Sequence, residues 1–89
     1  MKAIVTVIGH DRVGIIADVS RILAERGVNV LDISQTILQE YFTMIMLVDV
    51  TKMTCDFAQL KEELEALSKT IGMSIRIQHE DIFNAMHSI

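Results

Sequence analysis

One short segment of this 89-residue chain could hold a small charged ligand: Gly9-His10-Asp11-Arg12-Val13-Gly14. The residues before it, Ala3 to Ile8, are apolar or β-branched, which is typical of a buried strand. The residues after it are apolar at helical spacing. A strand that enters a helix through so short a segment leaves free N–H groups at the helix start, and these suit a carboxylate or phosphate. Asp11 beside them suits an ammonium, so the segment matches both charged ends of a free amino acid.

The same residue types also have purely structural interpretations. Asp11 is equally suited to capping the first helix, a role that stabilises a helix by about 1 kcal/mol. Gly14 permits either the approach of a ligand to the backbone or tight helix–sheet packing. Asn29, a polar residue at a strand entrance, can bond to a ligand or to loop backbone. Arg12 is more typical of a solvated or interface side chain than of a side chain that binds an anionic ligand group.

No other set of residues indicates catalysis or metal binding. The three histidines are not spaced to share a helical turn and no cysteine pair joins them, so we predict no metal site and no cofactor. The single cysteine, Cys55, has no nearby base in the sequence. The spacing Gly9-x-x-x-x-Gly14 resembles a phosphate-binding loop, but Ile15-Ile16 stand where a lysine and a hydroxyl residue are needed. We therefore predict that the chain is not an enzyme.

Composition limits the remaining classes of function. The chain is 51% hydrophobic with a mean hydropathy of +0.39, high for one small domain, so we expect apolar surface to be covered by a second subunit in a homodimer. A net charge of −4 with scattered lysine and arginine argues against direct nucleic-acid binding. No apolar run reaches the length of a membrane span, and the N-terminal residues lack a signal-peptide pattern. A lone cysteine fits a reducing cytoplasm.

Hydrophobic periodicity predicts six regular elements and a short terminal helix. The first helix has one apolar face, made of Ile15, Ile16, Val19, Ile22 and Leu23. Asp56 is the predicted N-cap of the second helix, Gly72 ends it, and Gln39-Glu40 forms a tight turn between strands. The predicted strands are Lys2–Ile8, Val28–Leu38, Tyr41–Val50 and Met73–Gln78, and the predicted helices are Val13–Arg26, the segment between Asp56 and Gly72, and Asp81–Ile89.

The order βαββαβ predicts an α+β fold, the ferredoxin-like sandwich with a four-stranded antiparallel sheet, plus a short C-terminal helix. Right-handed crossovers place strands one and three at the centre, with the helices on one face. The third strand is apolar on both faces, with Met44 and Met46 on one and Ile45 and Leu47 on the other. An open sheet face in water does not need such a centre. We expect the terminal helix or a second subunit to cover it.

With these features in place, the chain resembles the ACT domain, a small regulatory ligand-binding module. The resemblance covers about Lys2 to Gln78, and it is carried by the segment from Gly9 to Gly14, the helix behind it and the entry Gly27-Val28-Asn29-Val30 to the second strand. Over its whole length, including Ile82-Phe83-Asn84-Ala85-Met86-His87, the chain is similar to stand-alone ACT proteins of bacteria and archaea. These are in turn similar to the glycine cleavage system transcriptional repressor. We assign residues 1–80 to the ACT domain and 81–89 to a C-terminal helical extension.

The resemblance implies that a small effector, usually an amino acid, binds at an interface between paired ACT domains. It implies ligand contacts at Asp11, Gly14 and Asn29. The neighbouring positions complete the candidate ligand-binding set: Arg12, Val13, Ile15 and Val30. Effector-binding members often carry a neutral amide where this chain has Asp11, and many carry proline where it has Val13, so ligand preference does not transfer directly.

Two hypotheses of function follow from the sequence. In the first, a homodimer binds an amino acid and the bound form changes its affinity for a separate protein partner. In the second, the chain is a ligand-independent interaction module that docks a partner through its apolar sheet face and terminal helix.

Overall fold

The computed structural model describes residues 1–10 and 13–87. The element order is the predicted βαββαβ followed by a third helix. The elements are β1 (Lys2–His10), α1 (Ile15–Glu25), β2 (Asn29–Leu38), β3 (Tyr41–Asp49), α2 (Phe57–Ile71), β4 (Ser74–His79) and α3 (Glu80–His87).

The four strands form one antiparallel sheet in the order β2-β3-β1-β4, which confirms the predicted central position of strands one and three. The β2–β3 hairpin turns at Gln39-Glu40 as predicted, with Gln39 at a φ of 55°. One face of the sheet carries the core. Its largest fully buried side chains are Leu23, Met44, Met46, Leu60, Leu64, Val5, Val7, Val19 and Val48.

Several predicted boundaries are wrong by one or two residues. β1 continues to His10, because Gly9 and His10 still pair with Phe42 and Tyr41 of β3. The connection before α1 is therefore shifted by two residues along the chain, and its length of four residues is as predicted. α1 begins at Ile15 instead of Val13, because Gly14 adopts a left-handed conformation, with a φ of 88°, that interrupts the helix. Smaller differences affect the first residue of β2, both ends of β4, the last residue of β3 and the start of α3.

The two larger helices pack on the core face and are tied together at one end. The Arg26 guanidinium, at the end of α1, donates from Nε to Oε2 of Glu63 on α2 at 2.8 Å, and its Nη2 donates to Oε1. The hydrogen bonds lower the pKa of Glu63 and raise that of Arg26. Within α2 the predicted caps are confirmed: Asp56 Oδ1 accepts from the Gln59 backbone N–H at 2.7 Å, and Gly72 is the left-handed C-cap.

Helix α3 contacts β1 and β4 and covers part of the other sheet face. The Gln78 side chain, which points away from the core, donates from Nε2 to the Met86 sulfur at 3.2 Å. Ile4, next to Gln78 in the sheet, is only 9% exposed. Ile8 and Ile45, further along the same face, are 48% and 39% exposed. The terminal helix therefore covers one end of the open face and leaves the other end uncovered.

Candidate functional site

The first turn of α1 presents backbone N–H groups that no side chain of the described residues caps. Gly14 is the N-cap residue, and within residues 1–10 and 13–87 no side-chain hydrogen bond caps the helix. The first backbone bond within the helix runs from Asp18 N to Gly14 O at 2.9 Å. The N–H groups of Ile15, Ile16 and Ala17 precede that bond and have no intrahelical acceptor. This end of α1 is also the positive end of its dipole, so it favours a negative group.

A groove of about 230 Å³ lies beside this turn, between α1 and the edge strand β2. Its floor includes Ile15 and Phe42, which are 2% and 3% exposed. Ile37 and Gln35 come from β2. The complete described lining is Gly14, Ile15, Ile16, Ala17, Gln35, Ile37 and Phe42. Free N–H groups and an apolar floor thus meet in one place.

The structure locates part of the predicted ligand-binding set at this groove. Gly14 and Ile15 line it, although the Ile15 side chain belongs to the core and only its backbone is suited to a ligand contact. Val13 is 97% exposed. Asp11 and Arg12 lie outside the described residues.

Gly14 does not serve tight helix–sheet packing, the structural alternative to ligand approach. A Cβ built on Gly14 has no described atom within 4 Å, so its role is the positive φ. Of the two glycines at the ends of the segment, Gly9 is the tightly packed one, since a Cβ there would lie 2.8 Å from Cγ of Met73.

Asn29 and Val30, the remaining predicted ligand contacts, lie at the opposite end of β2 from the groove. β2 runs from Asn29 to Leu38, and nine residue steps of extended chain span about 30 Å. Within one subunit these residues do not reach a small ligand bound at α1. Val30 is half-buried and packs against the core.

Asn29 instead lines a separate polar cavity of about 310 Å³, together with Gly27, Asp49, Thr51 and Lys52. The Asp49 carboxylate is already engaged there. Its Oδ1 accepts from Thr51 N at 2.9 Å and lies 3.7 Å from the N-terminal ammonium. Hydrogen bonds from Thr51, first from its side chain and then from its backbone, lower the pKa of Asp49.

Two structural findings bear on other classes of site. Across residues 1–10 and 13–87, no three histidine, cysteine, aspartate or glutamate side chains converge as a metal site would require. In the same part of the chain, no helix is both long and apolar enough to span a membrane.

Comparison with protein families places the fold in a known group. The family model described as ACT domain matches residues 2–78, nearly the whole βαββαβ unit. This chain belongs to the ACT domain family. The assignment agrees with the resemblance found in the sequence.

Among relatives, the UPF0237 protein of Clostridium acetobutylicum is 60% identical over 89 residues, covering all of both chains. A solved ACT domain protein from Streptococcus pneumoniae superposes with a TM-score of 0.80 at 49% identity, covering 98% of each chain. The regulatory subunit of aspartate kinase from Thermus thermophilus matches with a TM-score of 0.65 at 29% identity, over 86% of this chain and 50% of that one. A structure assigned as a glycine cleavage system transcriptional repressor has a TM-score of 0.73 at 22% identity, over 86% of this chain and 44% of that one, and shows the shared fold alone.

The groove of this ACT domain includes residues that the sequence does not single out as ligand contacts. Helical periodicity predicts Ile16 on the buried face of α1, but it is 37% exposed and lines the groove. Gln35 and Ile37 are absent from the predicted set. A signal for them exists in the hairpin register, since they pair with Met44 and Phe42 and therefore share the core-facing side of the sheet. Being on an edge strand, they face the side of α1 instead of the centre of the core.

Proposed function

We propose that this ACT domain is a regulatory module that binds a free amino acid as a homodimer and signals to a separate partner protein. The observation that carries the proposal is the first turn of α1, which no described side chain caps and which opens onto a groove at the edge of the sheet. Its N–H groups suit the ligand carboxylate, and Asp11, just before the turn in sequence, suits the ammonium. The regulatory aspartate kinase subunit that shares this fold supports a regulatory role.

The homodimer is supported by the exposed edge of the sheet. Every residue of β2 except Val30 is exposed, over ten residues. The strand has neither proline nor lysine, and its apolar residues include Ile33, Ile37 and Leu38, which are 40%, 59% and 71% exposed. A long edge strand that exposes apolar side chains and carries a single charged residue, Asp32, favours pairing with another chain. Pairing of β2 with its own copy is self-complementary, since a two-fold axis across the strand relates the two edges.

The same pairing explains the separated halves of the predicted site. In an antiparallel pair of two fully overlapping β2 strands, the start of one strand lies near the end of the other. Asn29 of the partner subunit would then lie near the end of β2 that borders the groove. Each groove would thus be completed by the other subunit, and a dimer would hold two equivalent ligands.

A thermal-shift screen with the twenty common amino acids tests the ligand. An amino acid at about a hundred times its dissociation constant should stabilise the fold by about 2.7 kcal/mol, a rise in melting temperature of roughly 10–20 °C for a domain of this size. Asn29→Ala should reduce the rise, while Asn84→Ala, an exposed asparagine on α3, should leave it unchanged. If none of the twenty amino acids raises the melting temperature, the sensing proposal is wrong.

Light scattering with two matched variants tests the dimer. Ser34 lies near the middle of β2, where a two-fold pair would bring two copies together, and Ser74 is an exposed serine on the other edge strand, β4. Ser34→Lys should give a monomer by opposing two positive charges across the axis, whereas Ser74→Lys should remain a dimer. Equal masses for the two variants would contradict pairing through β2.

The second candidate, a ligand-independent interaction module, is favoured by one observation. The end of the open sheet face that α3 leaves uncovered carries Ile8, Ile45 and Tyr41, of which Tyr41 is 50% exposed. If no amino acid binds and removal of residues 81–89 abolishes capture of a partner protein, this second function replaces the first. Unchanged capture would count against it.

A further inference from the structure

We infer that the groove between α1 and β2 selects an amino acid with an uncharged, aliphatic side chain. The inference rests on the proposed function and narrows its ligand class. Its basis is the lining of the groove, a feature separate from the N–H groups assigned to the ligand carboxylate.

The groove is apolar where a ligand side chain would enter. Four of its described lining side chains are large and apolar: Ile15, Ile16, Ile37 and Phe42. Gln35 is the only polar side chain among the described lining residues, and none of these described residues is charged. A charged ligand side chain packed against them would lose water without gaining a counter-charge from them. The site thus has polar N–H groups at the start of α1 and uncharged side chains in the groove. This arrangement matches an amino acid whose only charges are its carboxylate and ammonium.

The polar cavity at the other end of β2 provides the contrast. There Asp49 and Lys52 supply charges of both signs. Asp49 is engaged within its own subunit by the N-terminal ammonium and Thr51.

The size of the groove is compatible with a branched side chain. A closed cavity of about 150 Å³ lined by aliphatic and aromatic residues can take a benzene-sized guest. At about 230 Å³, and open on one side, this groove has room for the side chain of valine, leucine or isoleucine. Each methylene buried there should tighten binding about fourfold.

Calorimetric titration of the full chain with individual amino acids tests the inference. We expect leucine, isoleucine and valine to bind at least about tenfold more tightly than alanine, because each additional buried carbon contributes a further gain in affinity. Aspartate and lysine should bind more weakly than alanine.

A matched pair of variants assigns the preference to the groove. Ile16→Ala shortens a groove wall on α1 without touching the β2 edge, and alanine is a good helix former. It should weaken leucine binding about tenfold and change alanine binding less than about twofold. Ile82→Ala, at an exposed isoleucine of α3, should change neither.

The outcomes separate this inference from the proposed function. If aspartate or lysine binds as tightly as leucine, or if Ile16→Ala weakens leucine and alanine equally, the side-chain preference is wrong while amino-acid sensing stands. If none of the twenty amino acids binds, amino-acid sensing is wrong and the preference is overturned with it.

Discussion

Alanine substitution of the two glycines at the ends of the Gly9–Gly14 segment should destabilise the fold for two different physical reasons. Gly9 lies in β1 with an ordinary extended backbone, but a Cβ added there would stand 2.8 Å from Cγ and 3.1 Å from Cβ of Met73. These atoms lie close to the Met73 backbone, so the side chain cannot swing clear cheaply. Gly14 has open space around it but a φ of 88°. Gly9→Ala should therefore cause a clash, and Gly14→Ala should cause backbone strain.

The magnitude for Gly9→Ala follows from these contacts. Overpacking a buried site costs about 1–3 kcal/mol, and replacing glycine recovers about 0.4–1 kcal/mol by restricting the unfolded chain. The net loss should be about 1–2 kcal/mol, which lowers the melting temperature by roughly 5–12 °C for a domain of this size. Gly14→Ala should cost about 1 kcal/mol, set by the left-handed backbone.

A double-mutant cycle in urea distinguishes the two causes. Met73→Ala alone should destabilise by about 2–5 kcal/mol, because it empties a buried site. It also removes Cγ, the atom nearest the new methyl group. In that background Gly9→Ala should cost clearly less, since only the 3.1 Å contact with the remaining Cβ of residue 73 is left, and Gly14→Ala should cost as much as before. An equal cost of Gly9→Ala in both backgrounds, or a gain in stability of the single variant, would refute the packing argument.

Two further predictions concern α2. The hydrogen bonds from Arg26 lower the pKa of Glu63 from 4.5, so the ion pair stabilises the fold above that pH. This contribution to stability is lost as the pH falls through the lowered pKa. Glu63→Gln should therefore remove this part of the acid sensitivity of the melting temperature, and Glu62→Gln should not. Asp56→Ala should lose the N-cap bond to Gln59 and about 1 kcal/mol in urea unfolding, while Asp56→Ser should retain most of that stability; equal losses would contradict the capping role.

The fold was predictable because local signals and global pattern agree in most elements. Asp56 and Gly72 delimit α2 through side-chain and backbone chemistry that can be read within a few residues. The apolar residues on both faces of β3 are typical of a strand at the centre of the sheet, and the hairpin turn at Gln39-Glu40 fixes its register with β2. The start of α1 differs from its predicted position because the boundary depends on the left-handed backbone at Gly14, and a glycine in a sequence is compatible with many conformations.

The candidate site was predictable only in part, because its walls depend on tertiary placement. The free N–H groups follow from a strand entering a helix, which the sequence shows. The groove exists because α1 does not fully cover the edge strand β2. As a result, Ile16 and Ile37 line the groove instead of lying in the core. Helical periodicity alone assigns Ile16 to the apolar face and does not distinguish the centre of that face from its rim.

The first turn of α1 and the exposed edge of β2 lie side by side, and in the proposed function this proximity would link ligand binding to dimer formation. Gln35 and Ile37 belong both to the groove and to the exposed edge strand. Pairing of two β2 edges would satisfy the backbone groups of the strand and place the second subunit next to the groove. A ligand that contacts both subunits then favours the dimer by the same free energy with which the dimer favours the ligand. An ACT domain that pairs in this way would use that linkage as its output, since a partner protein that recognises only the paired form would respond to the amino acid.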